Sequence, residues 1–503
     1  MHNINRRAWL AGMAALGVSP ALPALAGEVD PAALRADLPT LRRAYTLLHP
    51  GLYRYQTPAQ FNARLDALAK ALEAKASLDT QYLHIARLTA AIKCGHTYGN
   101  FYNQSDGVAA QLFERRTRLP FFFTWTGARM VVTDNPLGVD GIVRGSEILS
   151  IDGVPVADIQ SKLMPYLRAD GANDAKRRKL LDVQGADAFE TFDIFHSLLY
   201  PPSRSTRALT VRMRPDGGVR TLRVEPIDRA ARLKASPQKT TRDSPDYWTL
   251  SFPVLGVAVI KMPGWALYDT KWDWRAKIAD MFQKIAETSV TGLIIDIREN
   301  EGGLDCGREI LAHLIDQPVS PAADIDRLVR FRSTPEDLRP CLDTWDRSFH
   351  HLGEGGTYLG NGYFALAEDS DAIQPIQPKG PRFKGKVIVL SSAQNSSATF
   401  QFIQVMRDLK LASIYGEPTG GNRRGINGGC FFFLRLKNSG LEVDLPLIGQ
   451  YPKTPQPDTG LLPDVFVSST IEDIAGGRDA VLARAIKDLR GEGALTRDDR
   501  LQL

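Results

Sequence analysis

"VIVLSSAQNSSATFQFIQVMRD", Val387 to Asp408, decides how the chain is read. It opens on a short, fully apolar run of the kind a buried parallel strand needs. It closes, from Ala398 to Leu409, on apolar residues at helical spacing. Between them lie Ser391, Ser392, Ser396 and Ser397. Two local assignments stand side by side. Ser396 or Ser397 caps the helix, or one serine is a nucleophile exposed on a strained strand-to-helix turn, with the next N–H serving an oxyanion.

Working outward, the same alternation runs from about Tyr247 onward. Strand-like "VAVIKMPG", "GLIIDIREN", "VIVLSS" and "ASIYGE" are separated by helical patterns around Trp272–Glu287, Cys306–Ile315 and Ala398–Leu409. Apolar strands alternating with amphipathic helices predict an α/β layer with a buried sheet. The stretch from Pro318 to Pro381 breaks this rhythm and is expected to be a surface excursion. Between about Leu119 and Val224 the signals are short strands, a tight turn at Asp152-Gly153 and a hairpin around Asp216 to Gly218. A polar, partly helical insertion from Arg168 to Pro202 interrupts them. From Pro31 to Ile92, apolar residues recur at three- and four-residue steps, as in Leu34, Leu38, Leu41, Tyr45 and Leu48. The chain is therefore expected to be a multidomain α+β protein, with a leader at 1–26, a helical domain at 27–112, a β domain with insertion at 113–228 and an α/β domain at 229–503.

The bulk properties narrow the function. The 503 residues hold 62 Lys and Arg against 57 Asp and Glu. The small positive balance, without basic blocks, argues against a nucleic-acid role. No internal run is long and apolar enough to span a membrane. At the N-terminus, Arg6-Arg7, an apolar stretch from Ala8 and Ala24-Leu25-Ala26 before Gly27 form the pattern of a twin-arginine export signal. The mature chain is expected to begin near Gly27 in a bacterial periplasm. Cys94, Cys306, Cys341 and Cys430 are far apart, and Cys306 with Cys341 is the pairing to test first. No C-x-x-C, H-E-x-x-H, P-loop or intact dinucleotide fingerprint occurs, so neither metal nor cofactor is expected.

Two further segments carry chemistry. "GLIIDIRENEGG" (Gly292 to Gly303) runs a buried strand into paired glycines, whose amides can turn outward to hold an oxyanion. "GEPTGGNRRGING" (Gly416 to Gly428) is a glycine-rich loop able to cradle a substrate backbone or merely to connect. Asp296-Arg298-Asn300-Gly302-Gly303, Ser396-Ser397-Ala398-Thr399, Gly416-Glu417-Thr419-Gly421 and Gly460-Pro463-Asp464 follow one another over about 180 residues. This ordered set resembles the carboxy-terminal processing (tail-specific) serine peptidases. Upstream, "GIVRGSEILSIDGVPV" is similar to that family's PDZ domain, with Ser146 where Asp is usual. "HPGLY" and "CGHTY" resemble its helical N-terminal region.

The resemblance implies a PDZ-like β domain, a crotonase/ClpP-like catalytic domain and a serine nucleophile. It places the nucleophile at Ser397, leaving Ser391 and Ser392 as strand end and Ser396 as turn. The oxyanion donors would be the Ala398 amide and that of Gly302 or Gly303. One branch of the family uses a loop lysine as base, but Asn422 stands there, and Arg423 and Arg424 stay protonated. The branch resembling the tricorn protease core and the retinoid-binding-protein-like peptidases uses a histidine, which falls on His96. His49 is read as structural. The orienting acid falls nearest Asp458, displaced by one position, with Glu442 and Asp444 as substitutes. Gly420 and Gly421 would hold the substrate backbone. The PDZ-like region would take an extended peptide by strand addition, with its carboxylate near Leu137-Gly138. The reading is an exported serine endopeptidase acting on periplasmic peptides or protein ends. Its rival is a non-catalytic peptide-binding or scaffold protein that keeps the fold.

Overall fold

The computed structural model describes residues 32–72, 76–236, 241–321, 324–366 and 374–491. The expected export signal and its cleavage point lie outside them. No described helix is long and apolar enough to cross a membrane.

The layer that positions the site is a six-stranded sheet. Its order is Val465–Phe466, Ser413–Gly416, Lys386–Ser391, Gly292–Asp296, Val257–Lys261 and Thr249–Val254. All neighbouring pairs are parallel except the last. Side-chain parity explains why its strands read as continuous apolar runs. Leu293, Ile295, Val387 and Val389 face a core built with helices Trp274–Ala286, Cys306–Ala312 and Ser397–Asp408. Ile294, Ile388 and Leu390 face the opposite side, where Val481, Ala485 and Ile486 of helix Ala480–Arg490 cover them. Leu390 pairs with Asp296, so the two central strands end side by side. Their following loops therefore leave the sheet together, where open α/β sheets bind ligands.

An antiparallel sheet carries Phe122–Thr126, Arg129–Asp134, Glu147–Ile151, Arg207–Arg212 and Val219–Val224 in that order, with Val154–Pro155 beside the third strand. Helix Val156–Leu163 follows its tight turn, where Asp152 has φ 49° and Gly153 φ 81°.

A third sheet departs from the expected organisation. Its order is Leu342–Asp343, Ile426–Arg435, Glu442–Pro452, Ile325–Val329, Tyr363–Ala365 and Thr357–Gly360. The segment expected as a surface excursion supplies four of these strands. Its central hairpin sends Phe432, Leu434, Val443, Leu445 and Leu447 into one core with the N-terminal helices and the antiparallel sheet. Residues 229–503 thus do not pack as one α/β unit. Asp37, buried in the first helix, Ala33–Leu48, explains the attachment. Its carboxylate accepts the amides of Asn438 and Ser439 at the hairpin turn. The expected Cys306–Cys341 pairing is also corrected. All four thiols are free, and these two lie in different cores.

Candidate active site

The helix after strand Lys386–Ser391 begins at Ser397 itself. Ser396 precedes it in extended conformation and makes no side-chain cap; its hydroxyl donates to the Glu301 carbonyl. Ser397 has φ 53°. A non-glycine residue in this left-handed region costs about 1–2 kcal/mol, and such strain persists only where the surroundings impose it. The surroundings are the Gly-Gly loop. A Cβ on Gly302 would stand 2.9 Å from the Ser396 carbonyl, 3.0 Å from Ser397 Cβ and 3.1 Å from the Ala398 amide. A cap needs no such turn, so the geometry is that of an exposed hydroxyl at a helix N-terminus.

The paired glycines divide their work. The Gly302 amide is taken up by Asn300 Oδ1 at 2.9 Å, which corrects its expected part as oxyanion donor. The Gly303 amide meets no acceptor among the described residues. The Ala398 amide sits in the first helical turn, where no intrahelical acceptor exists. A Cβ on Gly303 would lie 2.3 Å from the Trp265 carbonyl carbon and oxygen, so only glycine lets these two loop segments approach.

Asn395, fully buried, ties the three loops together. Its side-chain nitrogen donates to the carbonyls of Ile297 and Asn300, and its side-chain oxygen accepts the Ser392 amide. Its own carbonyl accepts the amides of Gly420 and Gly421. Those two glycines therefore hold the loop to the serine turn and offer no amide to a substrate. A Cβ on either would collide, with the Ala393 carbonyl at 2.1 Å or with Phe400 at 2.3 Å. Thr399 adds a bond to the Asn300 carbonyl. Sequence reasoning passed over Asn395, and it quoted Asn300 and Thr399 as motif members without giving them a role; the only signal for Asn395 was a polar residue wedged beside an apolar strand end.

His96 sits in the loop after helix Leu78–Ala90. The loop is held from several sides. The Gly95 amide donates to Asp170 and its carbonyl accepts from Arg168, both at 2.8 Å. Thr97 bonds His49 Nε2 at 2.9 Å, and His49 Nδ1 accepts the Gly51 amide. Burial lowers the His49 pKa to about 3, consistent with a neutral structural histidine. His96, Ser397, Ala398, Gly302 and Gly303 all line one cavity of about 2030 Å³. No hydrogen bond joins His96 to Ser397 in this state. Burial lowers the His96 pKa, opposed by nearby Asp170.

Residues 256–428 match the model of peptidase family S41. The chain is supported by that match as a C-terminal processing peptidase of the S41 type. It is a serine-type peptidase, and its mixed α/β multidomain fold accords with the family's. No curated protein matches it by sequence. Among solved structures, the chain is similar to mature CPAF complexed with lactacystin, at 16% identity over 92% of this chain and 98% of that one, TM-score 0.61. A serine-to-alanine mutant of CPAF aligns at 16% identity over 93% and 99%, TM-score 0.63. The photosystem II D1 C-terminal processing protease gives 15% over 89% and 98%, TM-score 0.40.

The expected acids are placed elsewhere. Asp458 Oδ1 accepts from Asn422 at 2.6 Å and from Tyr55 and the Ala172 amide, each at 3.2 Å. These bonds hold its carboxyl below the usual range against partial burial, and none leads to His96. Both oxygens of Asp444 are taken by Asn100 and Asn103 at 2.8 Å, and burial pushes its pKa up to about 7. Glu442 pairs with Arg435. Leu137 is half-exposed on a turn and Gly138 faces open space; neither borders the cavity.

Proposed function

We propose that this chain is an S41-type endopeptidase using Ser397 and His96 through an acyl-enzyme. The observation that carries the reading is the left-handed turn at Ser397, held against Gly302 at the start of a helix. Ser397 Oγ attacks the peptide carbonyl as His96 takes its proton. The Ala398 and Gly303 amides bind the oxygen that becomes negative. His96 returns the proton to the leaving amine, and water, activated by the same imidazole, releases the acid. His96 and Ser397 close to hydrogen-bond distance when substrate fills the site, since such contacts often tighten only in the complex.

The cavity exceeds the roughly 300–1,000 Å³ that small-molecule sites occupy, which supports an extended peptide as substrate. The antiparallel sheet at 122–224 is read as the PDZ-like module that delivers peptide ends, and the parallel layer as crotonase-like. The N-terminal Arg6-Arg7 and Ala24-Leu25-Ala26 pattern supports export to a periplasm; a mature N-terminus at Gly27 in a periplasmic fraction checks it.

A fluorophosphonate probe tests the chemistry. Labelling of the wild type and its loss in Ser397→Ala are expected. A well-folded wild type that stays unlabelled points instead to a peptide-binding protein retaining the fold.

A further inference from the structure

The Ser397–His96 reading leaves the imidazole without an acid, and two buried groups are left over near it. His96 Nδ1 is buried with no hydrogen-bond partner. Asp170, 3% exposed, uses Oδ1 for the Gly95 amide, while its Oδ2 accepts no hydrogen bond among the described residues. That Oδ2 stands 2.8 Å from where a Gly95 Cβ would be, one residue from His96. The segment carrying Asp170 is clasped to the histidine loop at three more points. Arg168 donates to the Gly95 carbonyl, the Gly171 amide donates to the Lys93 carbonyl at 2.9 Å, and Asn422 donates to the Asp170 carbonyl.

We propose that Asp170 is the positioning residue of this active site, its free oxygen accepting the Nδ1 proton of His96 so that Nε2 faces Ser397. The proposal rests on the Ser397–His96 mechanism. The other nearby carboxylate is committed: Glu301 pairs with Arg168 at 2.8 Å and Lys176 at 2.9 Å. Against the upward push of burial, these cations hold it down at about 2. Burial likewise pushes the Asp170 carboxyl up and the His96 imidazole down, and each opposes the shift in the other. The charges facing His96 are thus Asp170 and Glu301, which favour its protonation, and Arg168 and Lys176, which disfavour it. Asn422 occupies the position of the family's loop lysine, and here its amide bridges Asp458 to the Asp170 backbone. Asp458 thus supports the acid's segment instead of being the acid.

The test is Asp170→Asn. Asparagine keeps an oxygen for the Gly95 amide but presents a neutral amide to Nδ1. Peptidase kcat is expected to fall by about 10³–10⁴-fold with KM little changed, because the wrong tautomer is stabilised. The acid inflection of kcat/KM should move to lower pH, since Asp170 is the charge that raises the His96 pKa. A kcat within about threefold of wild type and an unmoved inflection overturn the proposal. If the variant does not fold, the wild type decides through the ring nitrogen shifts of His96. The neutral proton on Nδ1 supports Asp170, and the proton on Nε2 overturns it. His96→Gln separates the two levels. If it labels with fluorophosphonate like wild type, both the Ser–His mechanism and the role of Asp170 fall. If it is inactive while Asp170→Asn is normal, only the Asp170 assignment falls.

Discussion

The nucleophile turn and the histidine loop reach the same cavity by opposite routes. Ser397 is placed by its own strand and helix, with the neighbouring strand's loop pressed against it through Gly302. Asn395 fastens that arrangement with bonds to backbone groups no more than about a hundred residues away. His96 belongs to no regular element and is held by side chains from three separate segments, at His49, at Arg168 and Asp170, and at Asn427. Asn427 reaches it only through the Cys94 thiol, which accepts at 3.4 Å. One half of the site is rigid because its backbone is locked. The other is positioned by long-range polar contacts, each replaceable. Rate should therefore depend steeply on the first half and gradually on the second.

The steepest test is Ser397→Ala, which should lower kcat by about 10⁶-fold with the fold intact, read by peptide hydrolysis and thermal melting. Melting should be unchanged or slightly raised. Alanine removes the hydroxyl without relieving the φ of 53°, so any large stabilisation would contradict imposed backbone strain. Gly303→Ala comes next. Its Cβ would overlap the Trp265 carbonyl, so the loop must shift and the amide leaves the oxyanion position. A loss of about 10²–10³-fold in kcat is expected, the cost of one oxyanion donor. Near-normal turnover would assign that donor elsewhere.

Asn395→Ala tests the lock itself. It leaves the Ser392 amide unpaired in a buried region and takes one of two donors from the carbonyls of Ile297 and Asn300, which keep the Asn300 amide and the Thr399 hydroxyl. An unsatisfied buried group costs about 1–3 kcal/mol, and each lost hydrogen bond to a still-paired carbonyl costs about 1 kcal/mol. Chemical denaturation should show a loss of about 3 kcal/mol, and turnover should fall more than for removal of any single bond to the histidine loop. A loss below about 1 kcal/mol would show that the three loops hold together without this knot.

What the sequence made legible follows the same division. The apolar strand Lys386–Ser391, the serine turn and the Gly-Gly loop are contiguous patterns, and each pattern carries its own geometry. That is why Ser397, Ala398 and Gly303 were expected together from two neighbouring parallel strands, and all three line the one cavity. The partition of the amides did not read, because whether Gly302 or Gly303 stays free depends on the Asn300 rotamer. Gly420 and Gly421 looked like a substrate cradle because glycine in a loop signals close approach without saying to what. The approach is to Asn395 and Phe400 of the protein itself. The third sheet was missed for a related reason. Its strands between 325 and 365 are short and irregular, and the hairpin that recruits them is fixed by Asp37, some four hundred residues away. Asp170 lies in a stretch that reads as a polar insertion, and nothing local marks it.

The smallest expected effect is the sharpest for the comparison. Asp458 stands nearest to the acid position implied by the family pattern, yet Oδ1 accepts all three of its hydrogen bonds, from Asn422, Tyr55 and Ala172. Asparagine keeps one carbonyl oxygen in that place, so Asp458→Asn retains the contacts and loses only charge at a partly exposed site. Peptide turnover should change by less than about threefold, within what an exposed, screened charge contributes. The acid limb of kcat/KM should stay where the wild type has it, below the ordinary imidazole value of 6.5, because Asp458 is not among the groups that shift His96. A drop approaching 10³-fold would make Asp458 the orienting acid after all. The histidine loop would then depend on one dominant partner like the nucleophile turn, and the contrast between a locked half and a distributed half would be lost.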